Sequence, residues 1–229
     1  MSLLQYRVLN GWPLFFLIAV LTLTAMMAGL ILIGVQTPEA TVDLIRLSVQ
    51  IASPWIFVAF VTSPLVQLFP GSMSKWLARN RRYVGLSFAA GFGWQAIFIA
   101  VLLTKYPSYY WEVLHNATDL SLRIVSYIFL LALTVTSFFP VRRNMRPEHW
   151  RRLHLAGIWY FWAAIWASYA PAALSSDAKA IHIVYFVLGL LVLFIRIVAY
   201  QRTRAGKSIH KTTGRDQSRG SGKCQEHVL

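Results

Sequence analysis

Apolar residues gather into six long blocks along the chain, at 13–35, 47–69, 83–104, 120–139, 153–174 and 181–200, with short polar segments between them. Each block is close to the roughly 20 residues an α-helix needs to cross the hydrocarbon core of a bilayer with every backbone amide paired inside the segment. No strand is needed to account for any of them. The pattern therefore predicts an all-α, polytopic membrane protein whose residues 1–200 form a six-transmembrane-helix bundle. Because the first block is longer than the roughly 7–15 apolar residues of a secretory signal peptide, it reads as a span that stays in the protein.

Lys and Arg then sort by side. Arg7, the group Lys75, Arg79, Arg81 and Arg82, the group Arg142, Arg143, Arg146, Arg151 and Arg152, and seven more from Arg202 to Lys223 share one side of a six-span chain. The other side holds only Arg46, Lys105, Arg123 and Lys179, together with Glu39, Asp43, Glu112, Asp119 and Asp177. Cytoplasmic loops carry the excess of basic residues, so both termini are expected in the cytoplasm and the chain in the cell's inner (plasma) membrane. Five crossings would scramble this sorting. Trp12, Trp76, Tyr83, Tyr106, Tyr109, Tyr110, Trp111 and Trp150 lie near the predicted helix ends, where amphipathic rings favour the headgroup layer.

Composition sharpens the picture. Hydrophobic residues make up 57% of the chain and charged residues 13%, against about 25% charged in an ordinary soluble domain. A formal net charge of +14 points to nucleic acid or anionic lipid as a partner; the apolar blocks select membrane lipids and leave no role for nucleic acid. From residue 201 the apolar content collapses into Gly, Ser, Lys and Arg, so 201–229 is expected as a disordered basic cytoplasmic tail. Anionic lipids attract such a tail by about 1 kcal/mol per basic residue near the surface. Cys224 is the only cysteine, which excludes an intrachain disulfide, an iron-sulfur cluster and a Cys-based zinc site. The 229 residues leave no room for a separate flavin, nicotinamide or nucleotide domain. No Gly-rich phosphate loop, nucleophile-base pair or carboxylate dyad is present, so hydrolase and kinase chemistry have no residues to rest on. Asn116-Ala117-Thr118 has the form of a glycosylation acceptor, too short a match to carry weight.

Ionisable groups inside a membrane mark functional positions, and few occur here. His154 begins the fifth block, His182 begins the sixth from the opposite side, and Arg196 lies in the last third of the sixth, where it is expected to snorkel toward the cytoplasmic surface. His149 and His115 fall in loops. Trp159, Trp162 and Trp166 share one helical face, and Gly85, Gly91 and Gly93 thin one region of the third block, allowing a neighbouring helix or a flat ligand to approach.

Four ordered motifs carry a resemblance: Thr62-Ser63-Pro64-Leu65, Arg81-Arg82-Tyr83-Val84-Gly85-Leu86, Leu133-Thr134-Val135-Thr136-Ser137 and Glu148-His149-Trp150-Arg151-Arg152-Leu153-His154. Over about 44–200 the chain resembles the bacterial ferric-reductase-like transmembrane domain, closest to the haem-binding membrane subunit of the periplasmic methionine-sulfoxide reductase system. That resemblance implies six helices holding b-type haem between the third and fifth spans, and electrons passing across the membrane to an outer-face redox partner from a separate donor. The family's ligands are histidines midway along span three, at the start of span five, and about thirteen residues later. His154 matches the second. The first position falls on Gln95 and the third on Ala167 or Ser168. Neither an amide nor a methyl group is among the usual haem-iron donors, which argues against a bis-histidine haem at the outer position. Trp159, Trp162 and Trp166 either pack ordinarily or fill the volume a macrocycle occupies in relatives.

Two functions follow. One is a b-haem transmembrane electron-transfer subunit serving a partner redox enzyme, with one haem at most, His154 as an axial ligand to the iron and His182 or another group completing the site. The alternative is a haem-free divergent relative that acts as a membrane anchor or assembly partner.

Overall fold

The computed structural model describes residues 6–114 and 117–223, and helices account for nearly all of them. They are α1 (Trp12–Ile33), α2 (Pro38–Leu68), α3 (Ser72–Lys105), the short α4 (Pro107–Tyr109), α5 (Ala117–Ser137), the short α6 (Phe139–Asn144), α7 (Pro147–Ala173) and α8 (Ala180–Lys223). Among the described residues there is no strand.

Local chemistry sets the boundaries. Gly11, at φ 69°, turns the chain into α1, and Gly34, at φ 76°, ends it by returning its N–H to the Leu30 carbonyl. Both are left-handed conformations that glycine adopts without a Cβ penalty. Thr37 caps α2, its Oγ1 accepting from the Ala40 N–H at 3.2 Å, with Pro38 in the first turn. Ser74 does the same service near the start of α3, accepting from the Gly71 N–H at 3.0 Å. As a result α2 starts well before its apolar block, and α3 runs back through most of the basic segment expected as a loop.

Every expected span falls on a helix, but four are long and apolar enough to cross a membrane: α1, α2, α3 and residues Ala180–Arg204 of α8. These mark the chain as a membrane protein. α5 offers a shorter apolar stretch, Ser121–Ser137. α7 opens on Glu148, Arg151, Arg152 and His154 and is rich in Trp and Tyr rather than aliphatic residues. The outward faces are apolar. Ile31 and Leu32 are 82% and 83% exposed, an arrangement that suits a lipid solvent. α8 continues beyond Arg204 to Lys223, into the segment whose composition predicts disorder, and 224–229 lie outside the described residues.

α2 is the hub. It packs against α1, α3, α7 and α8, while α3 also meets α1 and α5, and α7 meets α5 and α8. α2 and α3 approach tightly at Gly91, where a Cβ would sit 2.9 Å from the Ala52 Cβ. Gly85 and Gly93 have open space instead, so of the three glycines Gly91 is the one that admits a neighbouring helix.

Two interior prolines explain how α8 is held. Pro54 and Pro64 lack an N–H, which frees the carbonyls four residues earlier, at Gln50 and Phe60. α8 supplies both donors: Tyr185 Oη to the Gln50 carbonyl and Arg196 Nη1 to the Phe60 carbonyl, each at 2.8 Å. A longer contact, Thr203 Oγ1 to Gln67 Oε1 at 3.5 Å, extends the series. Its sequence offset is almost constant, 135, 136 and 136, so α2 and α8 run parallel and in fixed register.

The N-terminal segment is pinned to the basic end of α3. Buried Asn80 accepts from the Gly11 N–H at 2.8 Å and donates to Asn10 Oδ1 at 3.1 Å, and Trp76 Nε1 donates to the Leu9 carbonyl at 2.9 Å. Trp76 thus acts through a specific hydrogen bond.

Candidate functional site

His154 lies at the basic end of α7, facing α5. Its Nε2 is 3.2 Å from Thr136 Oγ1, and its ring lies 4.4 Å from that of Trp150, which carries the Arg142 guanidinium on its face at 4.5 Å. The Thr136 hydroxyl donates to the Ala132 carbonyl at 2.6 Å. With its single proton used there, Thr136 is the acceptor and Nε2 the donor. The ring nitrogen facing the bundle is therefore committed to a protein hydrogen bond.

His182 sits at the other end of the molecule. Its ring is 6.3 Å from that of Tyr169, and its Nδ1 is buried without a hydrogen-bond partner. Tyr169 follows His154 by fifteen residues on the same helix, a rise of about 22 Å. His154 and His182 therefore cannot hold one iron between them, and of the two arrangements expected from the sequence only His154 with another group remains.

The remaining ligand positions diverge in direction as well as in chemistry. Gln95 Oε1 accepts from Tyr127 Oη at 3.3 Å, so its side chain turns to α5. Ala167 and Ser168 are exposed on the outside of α7, with Ser168 Oγ donating to its own helix at Ile165.

Between α3 and α7, where the resemblance implies a macrocycle, stand three aromatic rings. Phe88 and Phe92 reach Phe161 at centroid distances of 5.0 and 5.8 Å and each other at 4.9 Å. Phe161 is 1% exposed. These rings, rather than Trp159, Trp162 and Trp166, occupy that space. Trp159 and Trp162 instead pack on Phe60 of α2 at 5.0 and 5.2 Å, and Trp166 stacks on Phe186 of α8 at 5.5 Å. Trp162 Nε1 also donates to the Gly189 carbonyl at 3.1 Å. The tryptophans do share a face; it is the face turned to α2 and α8. As a set, these residues do not fit a haem.

Several polar contacts escaped sequence reasoning. Ser53 Oγ and Tyr169 Oη are 3.1 Å apart in the core, and Arg81 Nη1 donates to Ser63 Oγ at 2.9 Å. Arg196, expected to snorkel outward, turns inward to the Phe60 carbonyl and lies 4.3 Å from the Phe60 ring and 4.9 Å from that of Trp159. The signal for Arg196 and Tyr185 was present in Pro54 and Pro64, since each freed carbonyl in a membrane helix demands a donor. His149 is exposed, while His115 and Asn116 lie outside the described residues. Among the described residues no group of three His, Cys, Asp or Glu side chains converges to hold a metal ion. No family model, curated protein or solved structure matches the chain.

Proposed function

We propose that the chain is a haem-free, divergent relative of the ferric-reductase-like membrane domain, a six-span bundle with both termini cytoplasmic that serves as a membrane anchor or assembly partner for a redox enzyme or transporter. The observation that carries this reading is the aromatic plug of Phe88, Phe92 and Phe161 between α3 and α7. Closely packed rings leave no gap to collapse into, and interiors of this kind do not admit a large flat ligand without repacking. The separation of His154 from His182 supports the same conclusion. For the family link the support is the four ordered motifs; for six spans it is the packing of α5 and α7 alongside the four longer apolar helices.

A second reading, the b-haem electron-transfer subunit, draws on His154, which keeps the family's histidine position and faces α5 within the bundle. A visible difference spectrum, dithionite-reduced minus oxidised, separates the two in protein purified from haem-replete cells. The haem-free reading expects a featureless spectrum. A sharp α band at the b-type position, lost in His154→Ala, would replace it with the electron-transfer reading.

A further inference from the structure

At the basic end of the bundle two arginines meet over one turn of α2. Arg81 of α3 donates to Ser63 Oγ and Arg196 of α8 donates to the Phe60 carbonyl. Their acceptors are three residues apart, a rise of about 4.5 Å. The charge of Arg81 reaches both Arg196 and His154. Both arginines are half-buried. Neither has an acidic partner among the described residues, where Arg46 and Asp43 form an ion pair at the opposite end. Glu148, the acid in the first turn of α7, is exposed and pairs with neither.

Each guanidinium carries five N–H donors in a rigid fork, and each gives one to α2. The others have no protein acceptor among the described residues. Two like charges anchored on one turn of α2, partly out of water and without a counter-ion among the described residues, repel each other, so an anion that reaches both gains from both. Forked donors suit an anion with several oxygens, which they grip bidentately. Next to Arg196, α8 exposes Ile197 at 45%, an apolar neighbour fit for acyl chains.

We propose that Arg81 and Arg196 form a binding site for a phosphate group at the basic end of the bundle, between α3, α7 and α8. The position and the apolar neighbour favour the headgroup of an anionic phospholipid over free phosphate. The site does not depend on the haem question; its assignment to the inner leaflet follows from the proposed topology.

Native mass spectrometry of the full chain in detergent, with phosphatidylglycerol and phosphatidylcholine offered together, tests the site. Wild type retains one phosphatidylglycerol, and Arg81→Gln weakens that binding by about tenfold, as expected for a lost charge-assisted hydrogen bond. Arg143→Gln and Arg151→Gln, exposed at the same end, leave it unchanged. Arg196→Gln also strips the donor from the Phe60 carbonyl, so Arg81→Gln carries the test, with an unchanged melting temperature as its folding control. Arg196→Lys, which keeps a charge and a donor but loses the fork, is expected to weaken binding by a smaller factor. Equal losses in all variants would mean diffuse surface attraction and overturn the site, as would undiminished retention by Arg81→Gln. Inorganic phosphate added to the protein in phosphatidylcholine nanodiscs separates the sources. Stabilisation that Arg81→Gln abolishes identifies free phosphate as a ligand, whereas phosphatidylglycerol binding without it identifies the headgroup. Binding of neither overturns the proposal.

Discussion

A single substitution pair tests how the interior is arranged. Gln95 turns to Tyr127 of α5, and Trp166 stacks on Phe186 of α8, so histidines placed at both positions would not face each other. The double variant Gln95→His with Trp166→His, titrated with haemin, is expected to show no gain in Soret absorbance over wild type; a stoichiometric gain would mean that α3 and α7 can open around a macrocycle. At this scale the sequence was informative about identity and poor about direction. The common face of Trp159, Trp162 and Trp166 follows from helical periodicity. Which helix that face meets depends on packing partners far away in the chain, and no local pattern encodes them. Phe88, Phe92 and Phe161 were three among fourteen phenylalanines, and nothing in their spacing set them apart. His154 was legible because it begins an apolar block and sits in a distinctive string; its partner Thr136 was not, since a threonine in a membrane helix usually satisfies itself on its own backbone.

For whole helices, hydropathy located the elements and missed their ends. It reports where lipid contacts the chain, whereas a helix runs until a cap stops it. Thr37 and Pro38 begin α2, and Gly71 with Ser74 begins α3, both in polar sequence. The prolines of α2 allow a sharper test. Tyr185→Phe removes the donor to the Gln50 carbonyl and is expected to cost about 1 kcal/mol, the usual scale of one hydrogen bond between membrane helices. In a Pro54→Ala background the returned N–H satisfies that carbonyl, and the same substitution should cost close to nothing. Unfolding midpoints in a denaturing-detergent titration give the coupling. Equal costs in both backgrounds would mean that the tyrosine stabilises α8 by packing alone.

Across the whole molecule, the parallel register of α2 and α8 supports placing both termini on one side, whether or not α5 and α7 each cross the bilayer, because two crossings or none leave the parity unchanged. The surplus of Lys and Arg at that end supports its being the cytoplasmic one. Reporter fusions at Gly71 and after Lys223 should therefore be active only in cytoplasmic assays, and a fusion at Pro107 only in the opposite compartment. A tail on the far side from Gly71 would refute the six-span topology and with it the inner-leaflet phosphate site. The two freed carbonyls of α2 also bear on biosynthesis. The ribosome delivers α2 more than a hundred residues before Tyr185 and Arg196, so the nascent second helix enters lipid with two backbone oxygens bare, each at a penalty of several kcal/mol. Its completion waits for the last helix to arrive, and a translation product that stops before Ala180 keeps an open wound that membrane quality-control proteases can recognise.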